Sequence, residues 1–504
     1  MTRNNLWRVR PAQILIVAAL AITLVIVVGR TRAQNGRVPL ATDWSHRHLI
    51  FSQPHSLFDA FKLSANPRYV QQWVRRNAEK KADRNGRRGH LPQTNEIQGD
   101  WNVYLGNLGT VGAGNYPAKY SFDVTAASCT APQPDFIVYN TSLAGSTTGV
   151  AAEDTGTFAG AATLSGSIIS ITSGLGTLDM IAEAANANLG AGIGTFNRAG
   201  NAATRATNLA TAINIAGNGD SVGVTASSVG AVVTITATTA GTAGNSITTT
   251  TTGTTSFTWA FLNFVNGASG VANVAAFDNL YSSCTGSVPS PYWAYITGAG
   301  ATATTSVVLS GDGSQVAFVQ NTGAGAQLVL LKWAAGTSTI NTPQDLTGAG
   351  TNVSNASYRA CTAPCMTTIT FSNGATDTDS SPFYDYIPGD DTLYVGDNAS
   401  ALHKFTGVFA GAPAETTSAG PNVWPAVVSG AARILTSPVY DSNVGQIFVA
   451  DNARILHRVD QTIGSGAGGV VSTAALGTNG ITASPTVDSS IGSVYVFVRA
   501  DSSA

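Results

Sequence analysis

The sequence contains few charged residues. Only 11% of its 504 residues are Asp, Glu, Lys or Arg, whereas 43% are hydrophobic. A chain of this length with so much apolar material can bury a large core, which excludes an intrinsically disordered protein. Because Gly, Ser, Thr and Ala are abundant, the composition favours many short strands joined by turns, with a weakly charged surface.

The few charges are unevenly distributed. The net charge is −2, but residues 1–120 hold 17 of the 26 Lys and Arg residues and 6 of the 28 Asp and Glu residues, so they carry +11 and the rest of the chain carries −13. The basic character therefore belongs to the N-terminal region alone. Outside that region nothing in the sequence indicates nucleic-acid binding.

A basic cluster occupies residues 68–90. Four of its apolar residues recur at helical spacing behind Asn66-Pro67, which fits an N-cap followed by a first-turn proline: Tyr69, Val70, Trp73 and Val74. The pattern predicts a short amphipathic helix followed by a basic, mobile tail. Two uses stay open, contact with an anionic lipid or polymer and a solvated linker, and we favour the linker.

The longest uncharged run extends from Ile14 to Val28, after three arginines. This run fits the core of a signal peptide better than a membrane span, which needs about 20 residues. Thr31-Arg32-Ala33 can serve as the cleavage site. We therefore predict that residues 1–33 are a signal peptide or, alternatively, a retained N-terminal membrane anchor, and that the remainder is exported to the periplasm, cell surface or medium.

Cysteine is scarce, and its spacing argues against zinc. The four cysteines are Cys129, Cys284, Cys361 and Cys365, and no two of them have the CxxC spacing of common zinc sites. An exported protein meets an oxidising compartment, so disulfides are favoured. Cys361 and Cys365 are close enough to close a small loop, which leaves Cys129 and Cys284 for each other. Four cysteines permit three pairings, and this pairing is a preference among them.

The C-terminal part contains a repeat that begins with Ser-Pro. The copies start at Ser381, Ser437 and Ser484, which are 56 and 47 residues apart. In each copy a short apolar strand ends at an aspartate, a polar turn follows, and an alternating apolar strand comes next; the aspartates are Asp385, Asp441 and Asp488. Alternation with a period of two residues, repeated every 40–50 residues, predicts the antiparallel blades of a β-propeller.

Two stretches resemble known propeller repeats. "SPVYDSNVGQIFVADNARILHRV" (437–459) resembles the quinoprotein-type repeat, and "SVVLSGDGSQVAFVQ" (306–320) resembles the WD40-like repeat of periplasmic propellers. The resemblance covers roughly residues 285–504, and the layout is similar to a set of exported bacterial propeller proteins. It implies an all-β fold, a propeller of seven or eight blades that can be incomplete at the C-terminus.

The middle of the chain differs in composition. We predict a basic, partly helical linker over 34–100, the start of the propeller over 101–146, an inserted small α+β domain over 147–270 and the remaining blades over 271–504. Within the insert, four apolar residues recur at helical spacing ahead of two alternating strands: Ala206, Leu209, Ala210 and Ile213. This module is similar to small domains of phage-tail and flagellar-hook proteins. It either contacts a partner or is a passive insertion.

The last blade stops after two predicted strands. Either the N-terminal strands near "WNVYLGNLG" (101–109) or "KYSFDV" (119–124) complete it, or the chain is a fragment of a longer protein. We favour the fragment.

The sequence assigns no catalytic and no cofactor-binding residue. His403 and His457 occupy the same position in successive repeats, which indicates a structural role. His46 and His48, two apart as on one face of a strand, form a weak metal pair with His55 as the only nearby third ligand. The GxGxxG pattern over 464–469 lacks the strand-then-helix context of a nucleotide site.

Three further features bear on cofactors. Asp390, Asp391 and Asp397 lie in turns where Asp is expected, and calcium binding there is possible without a dedicated loop motif. The quinoprotein resemblance implies pyrroloquinoline quinone resting on adjacent cysteines. Cys361 and Cys365 are separated by three residues instead, which argues against that cofactor.

These observations favour an exported β-propeller that binds or scaffolds an extracellular polymer or protein, without nucleic acid and with membrane contact only through its N-terminal segment. One alternative is a propeller enzyme, either a polysaccharide hydrolase or lyase or a quinoprotein-like oxidoreductase. The other is a phage-related or appendage-related surface protein. The sequence leaves the oligomeric state open.

Overall fold

The computed structural model describes residues 40–498, except for 52–53, 55, 85–107, 113, 122–134, 164, 254–255, 282–283, 285–287, 337 and 478. The predicted signal peptide or anchor, residues 1–33, therefore lies outside the described residues. Of the helices that are described, none is long and apolar enough to cross a bilayer.

The N-terminal part combines short strands with two helices. After a 3₁₀ helix at Trp44–Arg47, the α-helices are α1 (Leu57–Leu63) and α2 (Pro67–Arg84); the strands are β1 (Leu40–Thr42), β2 (Leu49–Ile50), β3 (Ala118–Ser121) and β4 (Phe136–Asn140). Helix α2 begins at Pro67 as predicted, and the Asn66 side chain accepts a hydrogen bond from the Arg68 backbone N–H at 3.0 Å.

The predicted apolar face of α2 is wrong. Of its four residues only Tyr69 is buried, whereas Trp73 is 56% exposed and Val74 is 39% exposed. Arg68 and Gln72 lie on the docked face instead, and the Gln72 amide donates to Leu49 O at 2.6 Å and accepts from the Phe51 N–H. The helix therefore packs on the N-terminal strands largely through polar contacts.

Residues 151–259 form two sheets and a helix with a hydrophobic core of their own. Helix α3 (Ala202–Ile213) begins at Asn201, whose side chain caps the Thr204 N–H, and its four predicted apolar residues are all buried. The sheets have the orders β10-β11-β5-β13 and β12-β6-β7-β9-β8. The strands are β5 (Ala151–Phe158), β6 (Ile168–Ser173), β7 (Gly176–Glu183), β8 (Ala187–Gly190), β9 (Ile193–Asn197), β10 (Val224–Val229), β11 (Val232–Ala240), β12 (Thr248–Thr252) and β13 (Phe257–Trp259).

This unit interrupts a sheet that continues on both sides of it. The chain leaves the sheet at β4 and returns at β14 (Val274–Asp278), which pairs antiparallel with β4 so that Val274 lies opposite Asn140. The complete order is β1-β3-β4-β14-β15-β19, where β15 is Ser290–Ile296 and β19 is Gln344–Asp345. The insertion point thus lies between two hydrogen-bonded neighbours, where the excursion costs the sheet little.

The remaining strands form compact sheets, antiparallel as the repeats predict except for the parallel pair of β2 with β30. Their orders are β16-β17-β18-β20, β21-β22-β23-β24 with β25 also on β23, β26-β27-β28-β29, and β2-β30-β31. The bounds are β16 (Val308–Leu309), β17 (Gln315–Asn321), β18 (Ala326–Lys332), β20 (Cys365–Thr370), β21 (Phe383–Asp385), β22 (Thr392–Gly396), β23 (Ala401–Thr406), β24 (Ala414–Glu415), β25 (Ala426–Val427), β26 (Val439–Asp441), β27 (Gln446–Ala450), β28 (Leu456–Asp460), β29 (Val470–Ser472), β30 (Thr486–Asp488) and β31 (Ser493–Tyr495).

The fold is an all-β propeller, in which the first strands of neighbouring sheets lie against each other. Strand β26 contacts both β21 and β30, and β16 contacts β3. The repeated serine contributes to this arrangement, because the Ser306 N–H donates to Ser381 Oγ at 2.9 Å and the Ser381 N–H donates to Ser437 Oγ at 2.8 Å. The Ser-Pro starts at Ser381 and Ser437 therefore each connect their sheet to the preceding one.

Five propeller-type sheets are present in the described part of the chain, and the predicted seven or eight blades stay a prediction. The N-terminal segment joins the first and last sheets, because β1 pairs with β3 while β2 pairs in parallel with β30, so that Leu49 lies opposite Val487. The suggestion that "KYSFDV" completes the last blade is wrong, because β3 lies in the first sheet. Residues 101–107 of the other suggested segment lie outside the described residues.

The glycine-rich run over 464–469 follows β28 and precedes β29, so no helix begins there. A Cβ atom at Gly466 would lie 1.9 Å from Pro421 O, and one at Gly464 would lie 2.1 Å from Val423 O. The glycines are therefore explained by close backbone packing against the preceding repeat.

Candidate functional site

A cavity of about 450 Å³ lies where the N-terminal segment meets the first sheet. Four separate stretches of chain line it: residues 42–48 around the 3₁₀ helix, Gln71 and Arg75 of α2, residues 116–119 leading into β3, and Ile137 of β4. We call it the cationic cavity, because its lining includes Arg47, Arg75 and Lys119.

The two histidines of this cavity do not form the strand pair that their spacing predicts. His46 is part of the 3₁₀ helix and His48 is its C-terminal cap. His48 Nδ1 lies 3.0 Å from Pro485 O, and since a carbonyl only accepts, that nitrogen carries a proton. Burial lowers the pKa of His48. His55, the suggested third ligand, lies outside the described residues.

His46 presents one unused polar atom. The Asp43 backbone N–H donates to His46 Nδ1 at 3.0 Å, completing a capping box with the Asp43 side chain. His46 Nδ1 also lies 3.3 Å from Asp43 Oδ1, so both neighbours of this nitrogen belong to Asp43, and Nε2 is the ring nitrogen that the fold does not use. His46 is 6% exposed, and its Nε2 has no hydrogen-bond partner among the described residues. A buried polar atom without a partner is costly, and a hydrogen bond to a bound ligand would offset that cost.

The cations at the cavity differ in how far they are neutralised. Lys119 lies 3.2 Å from the Asp135 carboxylate. Arg47 and Arg75 are exposed and make no ion pair within the described part of the chain. The one carboxylate in the lining, Asp43, is buried. The accessible charge of the cavity is therefore positive.

Aromatic side chains form part of the wall and the rim. Trp44 is buried, and its Nε1 donates to Pro382 O at 2.9 Å. Tyr116 is 62% exposed, and its backbone N–H donates to Ser306 Oγ at 2.8 Å. The Trp44 indole is thus held by its own hydrogen bond and Tyr116 by its backbone, and the exposed Tyr116 ring offers an apolar face to a ligand that enters the cavity.

A buried ion pair supports the cavity from below. Arg68 is fully buried; its Nη2 lies 3.9 Å from Asp43 Oδ2, and its Nε and Nη1 donate to Ser45 Oγ and Tyr384 O at 2.7 and 2.9 Å. Its guanidinium also lies 4.1 Å from the centre of the Phe383 ring. Burial alone would raise the pKa of the Asp43 carboxyl, but the Arg68 charge holds that pKa well below its usual range.

His403 and His457 hold equivalent places inside their sheets. His403 Nε2 lies 3.2 Å from Asp397 Oδ2, and His457 Nε2 lies 3.3 Å from Asp451 Oδ2. Each aspartate also accepts two backbone N–H groups of the turn between its second and third strands. These histidines therefore stabilise the turns of their sheets, which is a structural role.

The two histidines differ at their other nitrogen. His403 Nδ1 lies 2.6 Å from Glu415, whereas His457 Nδ1 lies 2.8 Å from the Ser472 hydroxyl. Burial lowers the pKa of both rings, but in His403 the two carboxylates outweigh burial and raise the pKa, while the pKa of His457 stays lowered. One additional carboxylate thus reverses the direction of the shift.

This difference predicts how stability depends on pH. Because the folded-state pKa of His403 is raised, its contribution is complete below its unfolded pKa of about 6.5 and declines as pH rises through the folded pKa. We expect Glu415→Gln to remove that decline and to cost roughly 1–3 kcal/mol at acidic pH. Thermal unfolding measured across pH, with Ser472→Ala as the matched change beside His457, tests this. An unchanged profile in Glu415→Gln would contradict it.

The turn acids suggested as calcium ligands have protein partners. Asp391 accepts the Tyr384 hydroxyl and the backbone N–H groups of Phe409, Ala410 and Gly411 at 2.8–3.0 Å. Asp397 accepts two backbone N–H groups of its turn and lies beside His403 Nε2. Within the part of the chain that the structure describes, no group of three or more His, Cys, Asp or Glu side chains could hold a metal ion. Calcium binding stays a prediction.

The disulfide between Cys361 and Cys365 is confirmed. It joins Cys361 to the first residue of β20 and closes the small loop that the sequence predicts. Cys284 is disulfide-bonded too. Cys129 lies outside the described residues, so its pairing with Cys284 stays a prediction. A disulfide is compatible with an oxidising compartment.

Sequence reasoning identified part of the cationic cavity and missed the rest. It singled out His46 and His48, but as a pair of metal ligands. It also singled out the basic cluster that contains Arg75, but as a linker. Tyr116 and Lys119 gave no signal, because nothing in their surroundings marks them as a motif. They join the site only through the pairing of β3 with β1 and β4.

Comparisons with known proteins add little to this picture. No family model matches the chain, and no curated protein matches it. Among solved structures, the chain is similar to the crystal structure of BamB from Moraxella catarrhalis, with 19% identity and a TM-score of 0.19. That similarity covers 42% of this chain and 62% of the BamB chain, so the match spans less than two thirds of the solved structure.

Proposed function

We propose that this chain is an exported β-propeller binding protein that recognises an acidic group on a polymer or protein partner through the cationic cavity. The observation that carries this proposal is His46, whose buried Nε2 has no hydrogen-bond partner among the described residues, in the lining of a cavity that also includes Arg47 and Arg75. Carboxylate, phosphate and sulfate groups accept hydrogen bonds from an imidazole N–H and pair with arginine.

Several features support a binding role. The site is concave, combines a few polar donors with aromatic surface, and is built on the junction of rigid sheets with a helix. Export is supported by the predicted segment over 1–33 and by the Cys361–Cys365 disulfide. A polymer or protein that carries repeated acidic groups would gain affinity from several weak contacts.

Binding of residues 34–504 to immobilised polygalacturonate, dextran sulfate and neutral dextran tests the proposal. We expect binding to one or both acidic polymers, weakened by salt, and no binding to neutral dextran. The double variant Arg47→Ser/Arg75→Ser should bind at least about tenfold more weakly, since one lost charge-assisted contact corresponds to roughly 1.4 kcal/mol.

The matched control is Arg454→Ser/Arg458→Ser, which removes two cations near β28 and should bind like the parent. A variant lacking residues 147–270 should also retain binding, because the cavity uses none of those residues. Equal binding by the cavity variant and the parent, or loss of binding only with the deletion, would reject the cationic cavity as the site. Binding to neutral dextran at the same strength would reject recognition of an acidic group.

A further inference from the structure

The outer faces of α1 and α2 expose large aromatic side chains. Phe58 is 66% exposed, Phe61 is 73% exposed and Trp73 is 56% exposed. Phe58 and Phe61 are three apart on α1 and so share a face of that helix. Exposing a phenylalanine or tryptophan to water is unfavourable, and here three such residues lie within two consecutive helices.

Cations accompany these aromatics. Lys62 is exposed, and its Nζ lies 4.8 Å from the centre of the Phe58 ring. Over residues 57–84 the sequence holds seven Lys and Arg residues, including Lys80, Lys81 and Arg84, against three Asp and Glu residues, so this stretch is basic overall. Exposed aromatic residues interleaved with Lys and Arg on a helix are characteristic of segments that lie in the interface of an anionic bilayer.

This surface is separate from the cationic cavity. Gln71 and Arg75 face the cavity, and Arg68 and Gln72 dock α2 onto the N-terminal strands. Trp73 lies about 200° around the helix from both Gln71 and Arg75, given 100° per residue. The helix therefore presents one side to the protein and the cavity, and another side, with Trp73 and the exposed Val74, to the surroundings.

We propose that this outer face of α1 and α2 docks on the surface of an anionic membrane. Charge complementarity favours a bilayer over a second copy of this chain, because a symmetric contact would bring the same cations together. The position in the chain also fits, since the longest apolar run, Ile14 to Val28, lies on the N-terminal side of these helices in the same basic part of the chain. The aromatic rings insert among the headgroups, and the cations pair with lipid phosphates.

Vesicle flotation of residues 34–504 tests the proposal, because every element of the described structure lies beyond residue 39 and the apolar run is absent. Two vesicle types are used, pure phosphatidylcholine and an equal mixture of phosphatidylcholine and phosphatidylglycerol. We expect binding to the mixture, at most weak binding to phosphatidylcholine, and at least about tenfold weaker binding for Phe58→Ser/Phe61→Ser/Trp73→Ser. Raising the salt concentration should weaken binding of the parent.

The matched control removes equally exposed apolar residues elsewhere: Leu175→Ser/Val229→Ser/Leu262→Ser, whose side chains are 74%, 84% and 81% exposed. It should bind vesicles like the parent. Circular dichroism and thermal unfolding establish that both triple variants are folded. The proposal is overturned if the parent does not float with anionic vesicles, if it floats equally with both vesicle types, or if the two triple variants behave alike. In the last case a protein partner becomes the better explanation of the exposed aromatics.

Discussion

Replacing Arg68 with alanine is expected to lower the free energy of unfolding of the propeller by about 3–5 kcal/mol, the range for breaking a buried ion pair by removing one partner. The loss has three sources. Asp43 keeps a buried negative charge without its counter-ion, the Ser45 hydroxyl and Tyr384 carbonyl lose a donor, and the Phe383 ring loses its stacked guanidinium.

Chemical denaturation followed by near-UV circular dichroism measures this effect. Arg68→Lys should recover only part of the stability, because an ammonium lacks the planar fork that serves two acceptors while stacking on a ring. Asp43 adds a pH signature. Its lowered pKa gives a contribution that is present above its unfolded pKa of about 3.9 and is lost as pH falls below it, and Arg68→Ala should remove that contribution.

Arg205 provides the matched control for the Arg68 prediction. It is also buried, at 3% exposure, and it donates to Gly200, Ala159 and Ala161 carbonyls inside the inserted unit. Arg205→Ala should destabilise that unit and leave the propeller transition in place, because the two sets of sheets have separate hydrophobic cores. If Arg68→Ala unfolds at the same denaturant concentration as the parent, the buried pair does not secure the N-terminal segment.

Replacing Asp397 with alanine is the second change with a large expected effect, a loss of about 3 kcal/mol in the free energy of unfolding. Asp397 is completely buried and accepts four hydrogen bonds. Their donors are the backbone N–H groups of Ala399 and Ala401, the Asn373 amide and His403 Nε2. Alanine leaves these groups without an acceptor in a place that water does not reach, so each one contributes to the cost.

Thermal unfolding compares this variant with two others. Asp451→Ala removes the equivalent carboxylate of the next repeat, which accepts from Ala453, Ile455 and His457, so the loss should be somewhat smaller. Asp345→Ala removes an exposed aspartate at the end of β19 and should change the free energy of unfolding by less than about 0.5 kcal/mol. A loss for Asp397→Ala no larger than that for Asp345→Ala would refute the structural role of the Asp397–His403 pair.

The sequence by itself determined the elements whose information is local. The alternation in each Ser-Pro repeat predicts the strands β21–β23 and β26–β28. A period of two residues followed by a turn depends only on residues that are adjacent in the sequence. The apolar face of α3 and the small loop closed by Cys361 and Cys365 also depend only on residues that are close together in the sequence. The sequences of the repeats are similar because each repeat must pack against equivalent neighbours, as the Ser381–Ser437 contact illustrates.

Only the tertiary structure decided the role of the N-terminal segment. Within a run of arginines and lysines, Arg68 looks like any solvated cation, yet its partners include Tyr384, which is 316 positions away. The cationic cavity likewise requires β1 to pair with β3 before Tyr116 and Lys119 can meet His46. Burial and charge pairing across such distances depend on how whole sheets are placed, and no local spacing records that placement.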